Sequence, residues 1–151
     1  AGAVDAGATD LLARLREKDV RAITIEDRAE VAAVIATKPQ VDLEVTFASG
    51  SAEIAPEAVP TLVELGRALS DGGLAGATFL LAGHTDRRGG AAFNQRLSER
   101  RALAVKKFLV GEFKLADARI IALGYGYERP KNTADPFADE NRRVQIVNMA
   151  E

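Results

Sequence analysis

The long segment Ala91–Phe113 restricts the fold of this chain more than any other feature. Apolar side chains recur along it at helical spacing, and the predicted buried stripe consists of Phe93, Leu97, Ala104, Val105, Phe108 and Leu109. Short apolar segments at Ala77–Ala82 and Arg119–Leu123 flank it, and each predicts a strand. A long amphipathic helix between two strands favours a domain in which helices pack against a sheet.

The following segments complete an alternating order of strands and helices. Val41–Phe47 alternates apolar and polar residues, which predicts a strand with one buried face. Pro56–Ser70 predicts a helix, and Arg142–Asn148 predicts a last strand after the polar loop Glu128–Glu140. The predicted order is βαβαββ. We therefore expect an α+β fold, a two-layer α/β sandwich with helices packed on one face of a mixed sheet.

The first forty residues precede this unit. Residues 1–9 are rich in Gly and Ala and are predicted to be a flexible lead-in. Two helices with a short strand between them are predicted next, in the order Leu11–Arg16, Arg21–Ile25 (the strand) and Glu26–Thr37. We divide the chain into an N-terminal lead-in, residues 1–40, and a domain, residues 41–149.

Composition limits the classes of function. The chain has no cysteine, which excludes disulfides, a cysteine nucleophile and thiolate metal sites. With His84 as the single histidine and no suitably spaced acidic cluster, we predict no metal and no cofactor. The sequence also lacks a nucleophile elbow, an HExxH pair and a phosphate-binding loop, so we expect no enzymatic activity. It shows no leader and no apolar run of membrane-spanning length, and any signal or anchor is expected outside this sequence.

Charge is distributed unevenly along the chain. Residues 1–80 carry 13 acidic and 7 basic side chains, whereas residues 81–151 carry 9 acidic and 13 basic ones. Arg87–Lys107 holds seven cations against the single acid Glu99. Such a basic face suggests an anionic partner, although a solvated helix surface explains it equally well. Nucleic acid is disfavoured, because the cations lie on a predicted helix and the overall isoelectric point is about 5.6.

Asp86 and Arg101 are the candidate functional charges. Asp86 ends the turn Gly83–Asp86 after a predicted strand, and Arg101 lies on or beside the buried stripe of the long helix. An acid and a base held apart on a scaffold can bind a zwitterion. Alternatively, Asp86 caps a turn or helix, and Arg101 forms a buried ion pair or covers the core with its aliphatic stem. For His84 we predict a packing or hydrogen-bonding role.

The order of several short motifs resembles the OmpA-like peptidoglycan-binding domain of Gram-negative bacteria, over roughly residues 41–149. These motifs are Gly83–Asp86, Asn94, Leu97–Ser98, Arg100–Arg101 and Asn141–Arg143. The resemblance implies a periplasmic, non-catalytic domain that binds peptidoglycan and anchors the outer membrane, or an envelope machine, to the cell wall. Membrane association would come from a region outside this sequence. The alternative is a protein–protein interaction module whose basic helix face docks an acidic envelope partner.

The resemblance also implies a set of ligand-binding residues. It assigns Asp86 and Arg101 to the diaminopimelate residue of the peptidoglycan stem peptide, with the ammonium on the acid and the carboxylate on the base. The other implied positions line or brace the pocket, and they are Phe47, Gly50, Thr85, Asn94, Leu97 and Arg142. The chain departs from the family pattern at Arg87–Arg88, which are unusually basic and are expected to tune affinity, and in its first forty residues.

Overall fold

The computed structural model describes residues 6–37, 44–71 and 77–149. These residues form four α-helices, namely α1 (Ala6–Arg16), α2 (Ile25–Ile35), α3 (Val59–Ser70) and α4 (Ala91–Phe113). They also form four strands, namely β1 (Glu44–Thr46), β2 (Phe79–Gly83), β3 (Ile120–Gly124) and β4 (Arg143–Asn148). From β1 onward the predicted βαβαββ order is confirmed. Within the described ranges, no helix has the length and apolar character that crossing a bilayer requires.

The strands make one mixed sheet in the order β1-β4-β2-β3. β2 and β3 are parallel, whereas β4 runs antiparallel to both β1 and β2. In this register Gly83 pairs with Gly124 on one side and with Val144 on the other, and Thr46 pairs with Arg143. The carboxyl ends of β1, β2 and β3 therefore meet the start of β4 at one edge of the sheet.

Helices cover both faces of this sheet. On one face α3 and α4 bury apolar side chains against the strands, including Leu62, Leu69, Val105, Leu109, Leu81 and Ile146. On the opposite face α1 and α2 bury Leu11, Leu15 and Val31 against Leu80, Leu123 and Val147. The predicted α+β class with a mixed sheet is confirmed. The two N-terminal helices add a third layer that the sequence analysis did not place, and each fully buried leucine in it contributes about 1.5–3 kcal/mol.

The predicted short strand at Arg21–Ile25 is wrong. Val20–Ala22 forms a 3₁₀ turn, and the side chain of Asp19 accepts a hydrogen bond from its backbone. Thr24 and Asp27 then form a reciprocal capping box that begins α2. Each cap satisfies backbone donors locally, and this outweighs the strand preference of a few apolar residues.

Two further predictions differ in detail. α1 begins at Ala6, inside the stretch predicted as a flexible lead-in, while residues 1–5 and the predicted strand start at 41–43 lie outside the described residues. Phe93, assigned to the buried stripe of α4, is 54% exposed. It belongs to the first turn of the helix, and the first buried member of the predicted stripe is Leu97, which is 2% exposed.

Close contact between α4 and the strand ends depends on two glycines. A Cβ atom at Gly83 would lie 1.9 Å from the carbonyl oxygen of Ser98, and one at Gly124 would lie 2.3 Å from the Ser98 hydroxyl oxygen. The Ser98 hydroxyl in turn accepts a hydrogen bond from the backbone N–H of Gly126 at 2.9 Å. Arg101 follows Ser98 by three residues and so shares its helix face. The glycines thus let α4 bring Arg101 to the edge where the strands end.

Candidate ligand-binding site

A cavity of about 190 Å³ opens at this edge of the sheet. Its walls come from the loop after β1, the loop after β2, the first turns of α4 and the residue before β4. It brings together seven of the eight predicted ligand-binding residues, which are Gly50, Thr85, Asp86, Asn94, Leu97, Arg101 and Arg142. These positions lie up to 92 residues apart in sequence, and the sheet register unites them.

Phe47, the eighth predicted residue, does not line the cavity. Its side chain is 3% exposed and packs in the core between the sheet and α3–α4. The Arg101 guanidinium carbon lies 5.3 Å from the centre of the Phe47 ring, within range of a cation–π contact. The Phe47 carbonyl accepts a hydrogen bond from Nε of Arg142 at 2.8 Å. Phe47 therefore supports the two arginines from behind.

Arg101 is fully buried and pairs with no carboxylate among the described residues. Its guanidinium donates to three backbone carbonyls: Nε to Ser51 at 2.7 Å, Nη1 to His84 at 3.0 Å and Nη2 to Ala48 at 3.0 Å. Neither alternative interpretation, a buried ion pair or a head that reaches water, describes this arrangement. The side chain instead joins the loop after β1 to the end of β2.

The electrostatics of Arg101 leave it charged. Burial lowers its pKa to about 10, repulsion from Arg142 and Arg100 acts in the same direction, and Asp86 opposes both. A guanidinium with this pKa remains a cation at neutral pH. Three of its five N–H donors are used on carbonyls, which leaves one on each terminal nitrogen.

Asp86 forms the acidic wall of the cavity and is 4% exposed. Oδ1 accepts from the backbone N–H of Arg88 at 2.9 Å. Oδ2 accepts from Nη1 of Arg88 at 2.6 Å and from Nη1 of Arg142 at 3.2 Å. Burial by itself would raise the pKa of Asp86, but these hydrogen bonds from Arg88 and Arg142 outweigh it and hold the pKa below the usual value.

Polar side chains fix the loops around Asp86. The side-chain amide of Asn94 donates to the carbonyls of Arg88 at 2.7 Å and Gly90 at 3.0 Å, which ties the loop after β2 to the first turn of α4. Arg142 is held by its bond to Phe47 and by Asp139, whose carboxylate lies 3.0 Å from Nη1. Both side chains therefore brace the site, as the sequence predicted only through the family resemblance.

Sequence reasoning missed three residues of the cavity wall, namely Arg88, Gly89 and Phe93. Arg88 was noticed as a basic residue near the site but not as a partner of Asp86. The available signal was that Arg88 follows Asp86 by two residues in a tight loop. An Asp side chain in such a loop commonly accepts a hydrogen bond from the backbone N–H two residues later. Phe93 was missed because helical periodicity placed it in the core.

His84 lies beneath the site and is 2% exposed. Its ring stacks on Tyr125 with the centroids 5.6 Å apart. Burial, reinforced by the positive charge of Arg143, lowers the pKa of His84 to about 3, so the imidazole is neutral at physiological pH. Across residues 6–37, 44–71 and 77–149, no three His, Asp or Glu side chains converge as metal ligands would. The geometry of His84 agrees with the predicted packing role.

Fold and site together define a small α+β domain whose cavity is lined by an acid and a base from separate elements. A profile described as the OmpA family matches residues 46–143. The chain belongs to the OmpA family, and the resemblance drawn from its motifs is confirmed.

Three comparisons illustrate the relationship. Outer membrane porin F of Pseudomonas aeruginosa is 48% identical over 73 residues, covering 46% of this chain and 20% of porin F. The crystal structure of the peptidoglycan-associated lipoprotein from Burkholderia pseudomallei superposes with a TM-score of 0.63 and 26% identity, covering 72% of this chain and 91% of that one. The cell wall anchor of the type VI secretion system (T6SS) from P. aeruginosa gives a TM-score of 0.57 and 32% identity, covering 70% and 76%. The chain thus spans only a fifth of the length of porin F.

Proposed function

We propose that this chain binds peptidoglycan non-covalently, through the diaminopimelate residue of the stem peptide, and anchors an envelope protein to the cell wall. One observation carries the proposal: a single cavity is lined by Asp86 and Arg101, an acid and a base that are not paired with each other. Family membership supports it, as do the printed names of two relatives, a peptidoglycan-associated lipoprotein and a cell wall anchor.

The chemistry of the ligand matches these two charges. The distal carbon of diaminopimelate carries both an ammonium and a carboxylate, whereas lysine at the same place carries only the ammonium. Asp86 receives the ammonium, and the N–H groups left on the terminal nitrogens of Arg101 receive the carboxylate. Two charge-assisted contacts of about 1.5–3 kcal/mol each, less the cost of ordering, give a modest affinity per site. Many sites on one polymer increase the retention of an anchored protein.

The same proposal covers class and location. The domain acts by binding and not by catalysis, and it works in the periplasm, beside the cell wall and the outer membrane. Attachment to that membrane comes from a part of the protein outside this sequence. The relatives that support this placement carry names of outer-membrane, peptidoglycan-associated and cell-wall proteins.

Sedimentation with purified sacculi tests the proposal. The chain should co-sediment with diaminopimelate-type sacculi and much less with lysine-type sacculi of matched amidation. Asp86→Asn should reduce sedimentation with diaminopimelate-type sacculi, because it removes the charge that receives the ammonium while retaining the shape. Asp117→Asn is the matched control, since Asp117 is an exposed carboxylate outside the cavity that pairs with Lys106. Equal sedimentation with both wall types would refute the proposed specificity.

The same assay separates the pocket from the basic face of α4. Arg96 and Arg100 lie on the exposed side of that helix, four residues apart. If the alternative function is correct, removing both cations should reduce binding more than Asp86→Asn does, and the partner lost should be a protein. If the cavity is the site, their removal should change only the salt dependence, because exposed charges are screened within about 10 Å at 0.1 M salt.

A further inference from the structure

Arg88 occupies the position that a ligand's ammonium would need. Its Nη1 lies 2.6 Å from Oδ2 of Asp86, a short charge-assisted contact, and Arg88 also lines the cavity. The same oxygen accepts from Arg142 at 3.2 Å. In this structure the carboxylate of Asp86 is thus neutralised by side chains of the chain itself.

The two arginines that contact Asp86 are held very differently. The Arg142 side chain is 13% exposed and is tied at the same time to the Phe47 carbonyl and to Asp139. The Arg88 side chain is 53% exposed, and its guanidinium contacts Asp86 and, at 5.9 Å, the face of the Phe137 ring. Arg88 can therefore leave Asp86 at little cost, whereas Arg142 cannot.

Phe137 gives the displaced guanidinium a place to move to. The ring is 49% exposed and already lies within cation–π range of Arg88. The hydrogen bond from the Arg88 backbone N–H to Oδ1 of Asp86 does not involve the side chain, so the carboxylate keeps its orientation when the guanidinium moves. Only the side chain has to move.

We propose that Arg88 is an internal competitor: it occupies Asp86 in the free protein, and the ligand's ammonium displaces it toward Phe137. This inference rests on the proposed function, in which Asp86 receives an ammonium. Every ligand that brings an ammonium to Asp86 has to displace the same guanidinium, so competition by Arg88 reduces the binding of diaminopimelate-type and lysine-type peptides by the same factor.

The test is calorimetric titration of Arg88→Met with diaminopimelate-type and lysine-type stem peptides. Methionine keeps an unbranched apolar side chain and removes the charge. We expect both peptides to bind about two- to fivefold more tightly than to the parent, as expected for the loss of a half-exposed ion pair. The two peptides should gain by a similar factor, because each has to displace the same guanidinium from the parent. Equal or weaker binding of both peptides would overturn the proposal, because Arg88 would then be inert or a direct ligand contact.

Arg87→Met is the matched control. It removes the same charge one residue away, from a guanidinium that stacks on Tyr127 at 4.5 Å and makes no hydrogen bond to Asp86. Because the stem peptide is anionic overall, loss of a nearby cation without competition should weaken binding or leave it unchanged. A gain for Arg87→Met equal to that for Arg88→Met would show a general charge effect and would refute competition at Asp86.

Two further measurements separate this inference from the proposed function. Phe137→Leu should weaken peptide binding in the parent but not in Arg88→Met, since the ring matters only to the displaced guanidinium. An equal effect in both backgrounds would contradict the displacement path.

If the parent binds neither peptide, the proposed function fails. Ethylammonium then serves as the probe, and its NMR shifts at the Thr85 and Asp86 amides should saturate at lower concentration in Arg88→Met. Identical saturation in parent and variant would refute the competition itself.

Discussion

Replacing Arg101 with methionine should destabilise the whole domain, and not only the binding site. The substitution keeps the aliphatic stem but removes the group that donates to the carbonyls of Ser51, His84 and Ala48. Those three oxygens would lose a cationic donor in a buried environment, since Arg101 is 0% exposed. The loop after β1 would then no longer be tied to the end of β2.

The magnitude follows from these three bonds. Hydrogen bonds to a charged group are worth about 1.5–3 kcal/mol each, and part of this is offset because the guanidinium no longer has to be desolvated. We expect a net loss of about 3–5 kcal/mol in the free energy of unfolding. For a chain of this size that corresponds to about 6–20 °C in melting temperature. Arg101→Lys should be intermediate, because one ammonium cannot reach three carbonyls that surround a planar fork.

Urea denaturation followed by circular dichroism measures this loss. Arg100→Met is the matched control, since Arg100 is exposed on the adjacent position of α4 and should change stability by less than about 0.5 kcal/mol. A loss below about 1 kcal/mol for Arg101→Met would refute the structural role of the guanidinium. The expected loss also sets a condition on binding experiments: variants at Arg101 must be assayed well below their melting temperature.

Three other predictions concern the scaffold. Gly83→Ala should cost about 1–3 kcal/mol of stability by urea denaturation, because its Cβ would meet the backbone of α4 at 1.9 Å. Gly90→Ala is the control, since a Cβ there would have no atom within 4 Å. Equal effects of the two substitutions would contradict the close-packing argument. Leu15→Ala should cost about 2–5 kcal/mol, since Leu15 is 1% exposed against the sheet, and a negligible loss would show that residues 1–40 are an independent lead-in. His84 has a pKa of about 3 in the folded state, whereas an unfolded histidine titrates near 6.5, so the unfolded chain binds the extra proton between these values. The free energy of unfolding should therefore decrease as the pH is lowered below about 6.5, by at most about 1.4 kcal/mol per pH unit. His84→Phe should reduce this slope between pH 7 and 5, and an unchanged slope would contradict the reasoning.

Much of the site could be predicted because its signals are local. The turn that ends in Asp86, the helical register that turns Arg101 inward and the order of the flanking motifs are all readable within short windows. What these windows could not supply was the partner of each charge. Arg101 bonds to carbonyls about 50 residues before it, and no side-chain pattern marks a backbone oxygen as an acceptor. Phe47 was likewise placed by resemblance on the pocket wall, whereas the structure puts its ring behind the arginines.

The N-terminal helices show the same division. Their apolar spacing predicted helices at Leu11–Arg16 and Glu26–Thr37, but spacing along one helix does not say which surface the helix covers. The face of the sheet that they cover is assembled from three strands drawn from residues 79–149. The division of the chain at residue 40 stays a prediction, which Leu15→Ala tests.

The sequence by itself determined the α+β class and the order of elements from β1 onward, because periodicity and turn residues act over a few residues at a time. Its resemblance to the OmpA-like domain, through the order of its motifs, supplied the family and most of the residues around the cavity. Only the tertiary structure decided that Arg101 is pinned by carbonyls, that Arg88 neutralises Asp86 and that α1 and α2 form a third layer. The physical reason is that each depends on where distant backbone and side-chain atoms meet, and sheet register and helix packing set those positions jointly.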